Sequence, residues 1–97
     1  MAIDQLRQFQ ADHAVIGVAG IDAEAGAMDA DIDEAQVARA MIGNARNLIV
    51  LADGDKLGRQ AAFRVCRLED IDMIVSDKPA DTKLAAALNA ANIELRC

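Results

Sequence analysis

The sequence has few aromatic residues, one histidine and two cysteines, and each scarcity excludes a class of core or site. Aromatic residues make up 2% of the chain against 54% hydrophobic residues, so the core is predicted to consist of Ala, Ile, Leu, Val and Met. The spacing of Cys66 and Cys97 does not match a metal site, and two cysteines do not make a disulfide framework. We therefore expect Cys66 to be a small core residue and Cys97 to be a terminal thiol. His13 has no second His or Cys nearby, which favours a structural role. No metal or cofactor site is predicted.

Positive charge is also scarce in this chain. It has 10 Lys and Arg against 16 Asp and Glu, a formal net charge of -6. Binding to a nucleic-acid backbone depends on Lys and Arg that neutralise phosphates. We therefore predict that the chain itself does not bind DNA. The N-terminus has no signal pattern, and no apolar run reaches membrane-spanning length. A cytoplasmic protein without a membrane partner is therefore predicted, and its 97 residues suit one domain.

Short apolar runs predict the strands. Residues 14–18, 48–52 and 72–75 contain almost no polar residues, which is typical of strands buried on both faces of a parallel sheet. Residues 63–68 predict a further short strand, and the alternating pattern of 93–97 predicts a half-exposed edge strand. Residues 23–33, rich in Ala, Gly and Asp, are predicted to form a loop.

Apolar residues at helical spacing predict three helices. The first covers residues 3–11. The second starts at Asp31 or Asp33, with Glu34 spaced as in a capping box, and the third follows Pro79 with Asp81 or Thr82 as its cap. The apolar stripe of the second helix is Val37, Met41 and Ala45, with Ala38 and Ile42 beside it, and that of the third is Leu84, Leu88 and Ala91. Asn92 is predicted to end the third helix in a left-handed conformation. Residues 59–62 are predicted to form a helical turn.

An acidic residue follows each of three apolar runs, namely Asp22, Asp53 and Asp77. Right-handed crossovers bring the carboxyl ends of parallel strands to one side of a sheet, where ligands bind. One site could then collect Asp22, Glu34, Asp53, Lys56 and Asp77. Ionised carboxylates accept strong hydrogen bonds, so this set suits the hydroxyls of a polyol. Two plainer alternatives remain: a solvated turn after residue 52, and Glu34 acting only as part of a helix cap, which is the favoured interpretation of Glu34.

Glycines stand beside the same strand ends. Gly20 and Gly54 permit a tight turn or the close approach of a ligand. The spacing of Gly17, Gly20 and Gly26 does not match a dinucleotide-binding fingerprint.

Four segments together resemble one protein family over nearly the whole chain. They are residues 17–22 (GVAGID), Glu34 with 39–42 (RAMI), 51–58 (LADGDKLG) and 71–77 (IDMIVSD). Their order and spacing resemble the C-terminal sensor domain of DeoR-type transcriptional regulators. The most specific element is Asp53-x-x-Lys56-x-Gly58.

The resemblance implies both a fold and a function. The fold is α/β, a mainly parallel sheet flanked by helices, Rossmann-like as in ribose-5-phosphate isomerase and glucosamine-6-phosphate deaminase. The function is that of an effector-sensing domain of a repressor, which binds a phosphorylated sugar or polyol, in particular glycerol 3-phosphate, to control DNA binding. Lys56 would face the phosphate or hold Asp53. The residues predicted to bind the effector are Asp22, Glu34, Asp53, Lys56, Gly20 and Gly54.

The chain also departs from the family pattern. It lacks the winged helix-turn-helix and the first part of the sensor domain, with its glycine-rich phosphate loop, so residues 1–97 are expected to form a single, partial sensor domain. Asp55 stands where Ser or Thr is usual, and Leu57 where an aromatic residue is usual. Without the isomerases' catalytic loop, binding is favoured over catalysis, and a small sugar-phosphate isomerase-like enzyme is the alternative. An uncovered sheet face and an unpaired strand edge predict a homodimer.

Overall fold

The computed structural model describes residues 11–96, which form strands and helices in an α/β arrangement. The elements in chain order are β1 (Ala11–Gly17), β2 (Gly20–Asp22), β3 (Gly26–Asp29), α1 (Ile32–Gly43), β4 (Ala45–Leu51), β5 (Phe63–Cys66), β6 (Met73–Val75), α2 (Thr82–Ala90) and β7 (Glu94–Arg96). Short 3-10 helices cover Gly54–Lys56 and Leu68–Asp70. The helix predicted over residues 3–11 falls outside the described residues, except for residue 11, which begins β1.

The main sheet has four parallel strands in the order β1-β4-β6-β7. This confirms the predicted mainly parallel sheet, and β7 lies at its edge as predicted. Sheet positions that face the helices are apolar and buried: Ala14, Ile16, Leu48, Val50 and Ile74. They form one cluster with the buried side chains of both helices.

The opposite face of the main sheet is partly open to solvent. Val15 is 50% exposed and Leu51 45% exposed, and their neighbour Ile49 is only partly buried. The prediction that these strands are buried on both faces is therefore wrong. Among the described residues, α1 and α2 both pack on the buried face and join its hydrophobic cluster. Successive residues along a strand therefore alternate between this covered face and the open one.

A second, antiparallel sheet was not predicted. It has the order β2-β3-β5 and contributes the fully buried Ile21 and Ala27 to the core. The predicted loop over 23–33 is thus wrong, since β3 lies within it. Asp22 ends β2 of this antiparallel sheet and does not follow a strand of the parallel sheet. The strand predicted over 63–68 is confirmed as β5, although it is shorter.

Aspartates cap both helices. The Asp31 side chain accepts a hydrogen bond from the Asp33 amide at the start of α1, and that of Asp81 accepts from the Leu84 amide at the start of α2. Glu34 stands three residues after this cap, as the capping-box spacing predicts, but the Asp31 amide donates to Asp29 Oδ1 at 3.2 Å and not to Glu34. Asn92 has the predicted left-handed conformation, with φ of 59°.

The predicted apolar stripe of α1 is confirmed only in part, since Ala38 is buried and Met41 and Ile42 pack against the core. The buried residues of α1 are Ala35 and Ala38, whereas Val37 is exposed and Ala45 already belongs to β4. Small alanines let this helix lie close to the sheets. The stripe of α2 is confirmed at Leu84 and Leu88.

Two further features concern the predicted turn and the thiol. Residues 59–62 form no helical turn; the 3-10 turn lies earlier, at Gly54–Lys56.

Cys66 is buried in the core as predicted. Burial raises the pKa of its thiol to about 11, so the thiol stays protonated at neutral pH. Neither α1 nor α2 has the length and apolar character needed to cross a bilayer.

Candidate functional site

A cavity of about 1270 Å³ opens at the carboxyl ends of β1, β4 and β6. Parallel strands bring their carboxyl ends to one edge of a sheet, so the polar residues that follow β4 and β6 meet here. Its polar lining consists of Asp29, Asp33, Glu34, Asp53, Lys56, Ser76 and Asp77. The larger apolar side chains of the wall come from β1, from Val18 just after it, and from α1, β4 and β6: Val15, Ile16, Val18, Val37, Met41, Leu51 and Val75.

The loop after β4 positions Lys56, the one cation that residues 11–96 contribute to this lining. Lys56 Nζ lies 3.5 Å from Asp53 Oδ2, and the Lys56 amide donates to the Asp53 carbonyl at 2.9 Å. The lysine side chain is 35% exposed and the aspartate 73% exposed, so both reach ligand-accessible space. An ion pair this exposed adds little to stability and leaves Lys56 available to an anionic ligand.

Asp77 ties the end of β6 to the end of β4. Its Oδ1 accepts a hydrogen bond from the Gly54 amide at 2.5 Å. A Cβ at Gly54 would lie 2.5 Å from Cβ of Lys78, so this glycine also lets the two loops approach closely. The hydrogen bond fixes the Asp53–Lys56 turn relative to the neighbouring strand.

Glu34 and Asp29 form a carboxyl pair on the other side of the cavity. Asp29 is only 7% exposed and ends β3, whereas Glu34 belongs to the first turn of α1. The charge of Asp29 and a hydrogen bond to it, followed by the charge of Asp31, raise the pKa of Glu34 above its ordinary value. Because the folded-state pKa is raised, ionisation of Glu34 weakens the folded state. This loss of stability is absent at a pH below the pKa of Glu34 in the unfolded chain, and it is complete at a pH above its pKa in the folded protein.

A carboxyl titration followed by NMR checks this pair. The midpoint of Glu34 is expected above that of an ordinary glutamate, and the Asp29→Asn variant is expected to lower it because the main source of repulsion is gone. Asp33→Asn is the matched control, since Asp33 also lines the cavity but is not among the causes of the shift. An unshifted Glu34, or equal effects of the two variants, would contradict the pairing.

Asp22 and Gly20 have local partners and do not line the cavity. Asp22 Oδ2 accepts hydrogen bonds from the amides of Ala25 (2.8 Å) and Glu24 (3.0 Å), which lower the pKa of Asp22. A Cβ at Gly20 would lie 2.2 Å from the Arg59 carbonyl oxygen. The Gly58 amide donates to the Ile21 carbonyl at 2.7 Å, so β2 supports the loop that carries Lys56.

The structure thus brings three of the six predicted site residues to the cavity wall: Glu34, Asp53 and Lys56. Sequence reasoning missed Asp29 because it lies in the stretch interpreted as a loop, and missed the apolar wall because those positions were expected to be buried. Carboxylates here can accept hydrogen bonds from hydroxyls, and Lys56 can donate to an anion. Within residues 11–96, no group of three His, Cys, Asp or Glu is placed to hold a metal ion.

Comparison with known proteins agrees with the residue patterns. The family model described as "DeoR C terminal sensor domain" matches residues 1–78. The glycerol-3-phosphate regulon repressor of Escherichia coli (strain K12) is 28% identical over 93 residues, which cover 96% of this chain and 37% of that protein. The repressor of the same name from Haemophilus influenzae is 35% identical over 72 residues, covering 74% of this chain and 28% of that protein.

A third similar protein is a repressor with a different name. The HTH-type transcriptional repressor GlcR of Bacillus subtilis (strain 168) is 33% identical over 93 residues, covering 96% of this chain and 36% of that protein. The matches therefore cover only 28–37% of the length of these three relatives. The family match covers most of the chain and includes every residue of the cavity wall. The chain belongs to the DeoR C-terminal sensor domain family.

Proposed function

We propose that the chain is the effector-sensing part of a transcriptional repressor. Its effector is a phosphorylated sugar or polyol, glycerol 3-phosphate first among them, and effector binding controls the attachment of the repressor to DNA. The observation that supports this most directly is the cavity at the strand ends, with Lys56 set among carboxylates. Two of the relatives carry glycerol 3-phosphate in their names.

The chemistry of the lining suggests how such a ligand would lie. Its hydroxyls would donate to Glu34, Asp53 and Asp29, which are acceptors when ionised. Its phosphate would lie beside Lys56, because a phosphate needs a cation or backbone amides. Asp55, next to Lys56, adds negative charge near this position, so we expect affinity to be modest.

Titration calorimetry with three small molecules tests the proposal. Glycerol 3-phosphate is expected to bind more tightly than glycerol or inorganic phosphate, since only it engages both the carboxylates and Lys56. Heat from none of the three would argue against a phosphorylated polyol as the effector. Equal binding of phosphate and glycerol 3-phosphate would argue against recognition of the polyol.

We further propose that residues 1–97 form a single, partial sensor domain that works in the cytoplasm and does not contact DNA itself. In the described part of the chain, α1 carries Arg39 as its one cation and α2 carries Lys83. A recognition helix needs clustered cations, and the net charge of -6 opposes approach to DNA.

A gel-shift assay at low salt, with promoter DNA from a glycerol-metabolism operon, is expected to give no specific complex with this chain. A full-length relative that includes a DNA-binding domain provides the positive control. A shift that survives competitor DNA would contradict the prediction.

The alternative of an isomerase-like enzyme is not supported by the comparisons. The matched family is a sensor domain, and each relative reported above is named as a repressor. The prediction that the chain is not an enzyme agrees with these relationships, so the carboxylates of the cavity are assigned to binding.

We also propose that the chain self-associates as a homodimer. The support is the half-exposed apolar face of the main sheet, where Val15 and Leu51 stand open to solvent. Apolar patches of this kind mark interfaces, and two-fold pairing is the commonest arrangement.

A further inference from the structure

The described wall of the cavity carries more negative than positive charge. It includes five carboxyl groups and, within residues 11–96, one cation, Lys56. The carboxyl groups belong to Asp29, Asp33, Glu34, Asp53 and Asp77. Such a surface repels a phosphate unless positive charge or backbone amides lie close to it. The proposed effector would therefore need a second cation beside Lys56.

Lys78 lies against the turn that carries Lys56. A Cβ at Gly54 would lie 2.5 Å from Cβ of Lys78 and 2.6 Å from both its Cγ and its Cδ. The methylene stem of Lys78 therefore runs over the backbone of Gly54, the first residue of the 3-10 turn Gly54–Lys56. The ammonium group is two bonds beyond Cδ, so it stays within reach of this turn.

Hydrogen bonds of the neighbouring residues hold Lys78 in this place. Asp77 lines the cavity, and its Oδ1 accepts a hydrogen bond from the Gly54 amide at 2.5 Å. The Lys78 amide donates to Ser76 Oγ at 3.5 Å. The approach of Lys78 to the turn is therefore fixed by the backbone of the two loops and does not depend on its side chain alone.

No ion pair in the described part of the chain uses the charge of Lys78. Its side chain is exposed, and none of the ion pairs found among residues 11–96 includes it. A lysine can lay its methylenes along a surface while its ammonium group stays in water, which agrees with the contact to Gly54. Lys78 therefore brings positive charge to the rim of the cavity without neutralising one of the described carboxylates.

Arg59 is another cation close to this turn, but its side chain starts toward β2. The Arg59 amide donates to the Lys56 carbonyl at 3.3 Å. The Arg59 Cβ would lie 3.5 Å from a Cβ placed on Gly20, which belongs to β2 and does not line the cavity. Lys78, which adjoins the cavity residue Asp77, is the better placed of the two cations.

We propose that Lys78 is a second phosphate-binding residue of the effector site, and that the phosphate lies at the rim of the cavity between Lys56 and Lys78. Two lysines on one phosphate offset the repulsion from Asp53 and Asp55. Lys78 thereby contributes to specificity, because it attracts a phosphate ester and not the corresponding neutral polyol. The inference rests on the proposed function, since it assigns a further residue to the same site.

Lys78→Met tests the charge of Lys78 separately from its packing. Methionine keeps an unbranched, flexible stem over Gly54 but has no ammonium group. The dissociation constants of glycerol 3-phosphate and of inorganic phosphate are both expected to rise about three- to tenfold, because Lys78 acts on the phosphate group. Lys83→Met is the matched control, since Lys83 is paired with Glu24 and does not line the cavity. It is expected to change both constants less than about twofold.

Titration calorimetry of the wild type and the two variants gives the comparison, with urea unfolding to check that their stabilities agree. A wild-type chain that binds neither ligand would overturn the proposed function itself. Binding that Lys78→Met leaves unchanged would overturn only the role of Lys78. Equal weakening by both substitutions would also overturn that role, because it indicates a response to net charge.

Lysine side-chain NMR on the unsubstituted chain gives a second measurement, which does not require a variant to fold. The sequence contains three lysines, so the Cε signal of each can be followed as inorganic phosphate is added. The signals of Lys56 and Lys78 are expected to shift with one common dissociation constant, and that of Lys83 is expected to stay in place. A shift of Lys56 without a shift of Lys78 would overturn the proposal.

Discussion

Alanine in place of Gly20 is expected to destabilise the fold by about 2–3 kcal/mol, the upper part of the range of about 1–3 kcal/mol typical of overpacking. The added Cβ would lie 2.2 Å from the Arg59 carbonyl oxygen and 2.9 Å from its carbonyl carbon. These are backbone atoms, so no side-chain rotation relieves the clash. Relief requires β2 to separate from the loop that follows Gly58, whose amide bonds to the Ile21 carbonyl.

Gly17→Ala is the matched control for this substitution. A Cβ at position 17 meets nothing within 4 Å, and Gly17 does not have a positive φ. Alanine here is expected to be neutral or to stabilise by up to about 1 kcal/mol, since it restricts the unfolded chain. Urea unfolding of both variants at one protein concentration provides the comparison. Equal stabilities would show that Arg59 yields easily and that Gly20 has no packing role.

The parallel strands could be predicted because their signal is local. β1, β4 and β6 contain short apolar runs, β7 has an alternating pattern, and the polar residues after β4 and β6 identified the edge of the sheet where the cavity lies. Asp53 and Lys56 reached the cavity for this reason. Their spacing in the chain already placed them in one turn, and the structure joins them by an ion pair.

The antiparallel sheet could not be predicted in the same way. Its central strand β3 is Gly26–Asp29, with no β-branched or aromatic residue, so it has little intrinsic strand preference. It becomes a strand because β2 and β5 pair with it on both sides. β5 lies more than thirty residues away in the chain, and no local pattern reports a pairing over that separation. Asp29 was missed as a result.

Burial was overestimated for a related reason. An apolar run such as residues 48–52 shows that a strand can be buried on both faces, but the covering elements decide whether it is. Here the buried side chains of α1 and α2 join the cluster on one face, and Leu51 remains exposed. Asp22 illustrates the same limit for a site residue. Its carboxylate accepts two amide hydrogen bonds within its own turn, which its position after an apolar run did not reveal.

Lys56→Ala is expected to weaken glycerol 3-phosphate binding about tenfold or more, because a hydrogen bond to a charged group contributes about 1.5–3 kcal/mol. Lys56 is the only cation among the residues that line the cavity in the described part of the chain. Its removal also frees Asp53, which lies 3.5 Å away, and an unpaired carboxylate repels a phosphate. The stability of the fold is expected to change little, since the ion pair is exposed.

Lys83→Ala is the matched control. Lys83 also forms an exposed ion pair, with Glu24 at 3.3 Å, but does not line the cavity. Its loss removes the same charge from the chain, so any effect of net charge alone appears in both variants. Calorimetry at low ionic strength, where long-range attraction is strongest, compares the wild type with the two variants. If Lys83→Ala weakens binding as much as Lys56→Ala does, the phosphate responds to the overall charge of the domain. If neither variant changes the affinity, the phosphate lies outside this cavity.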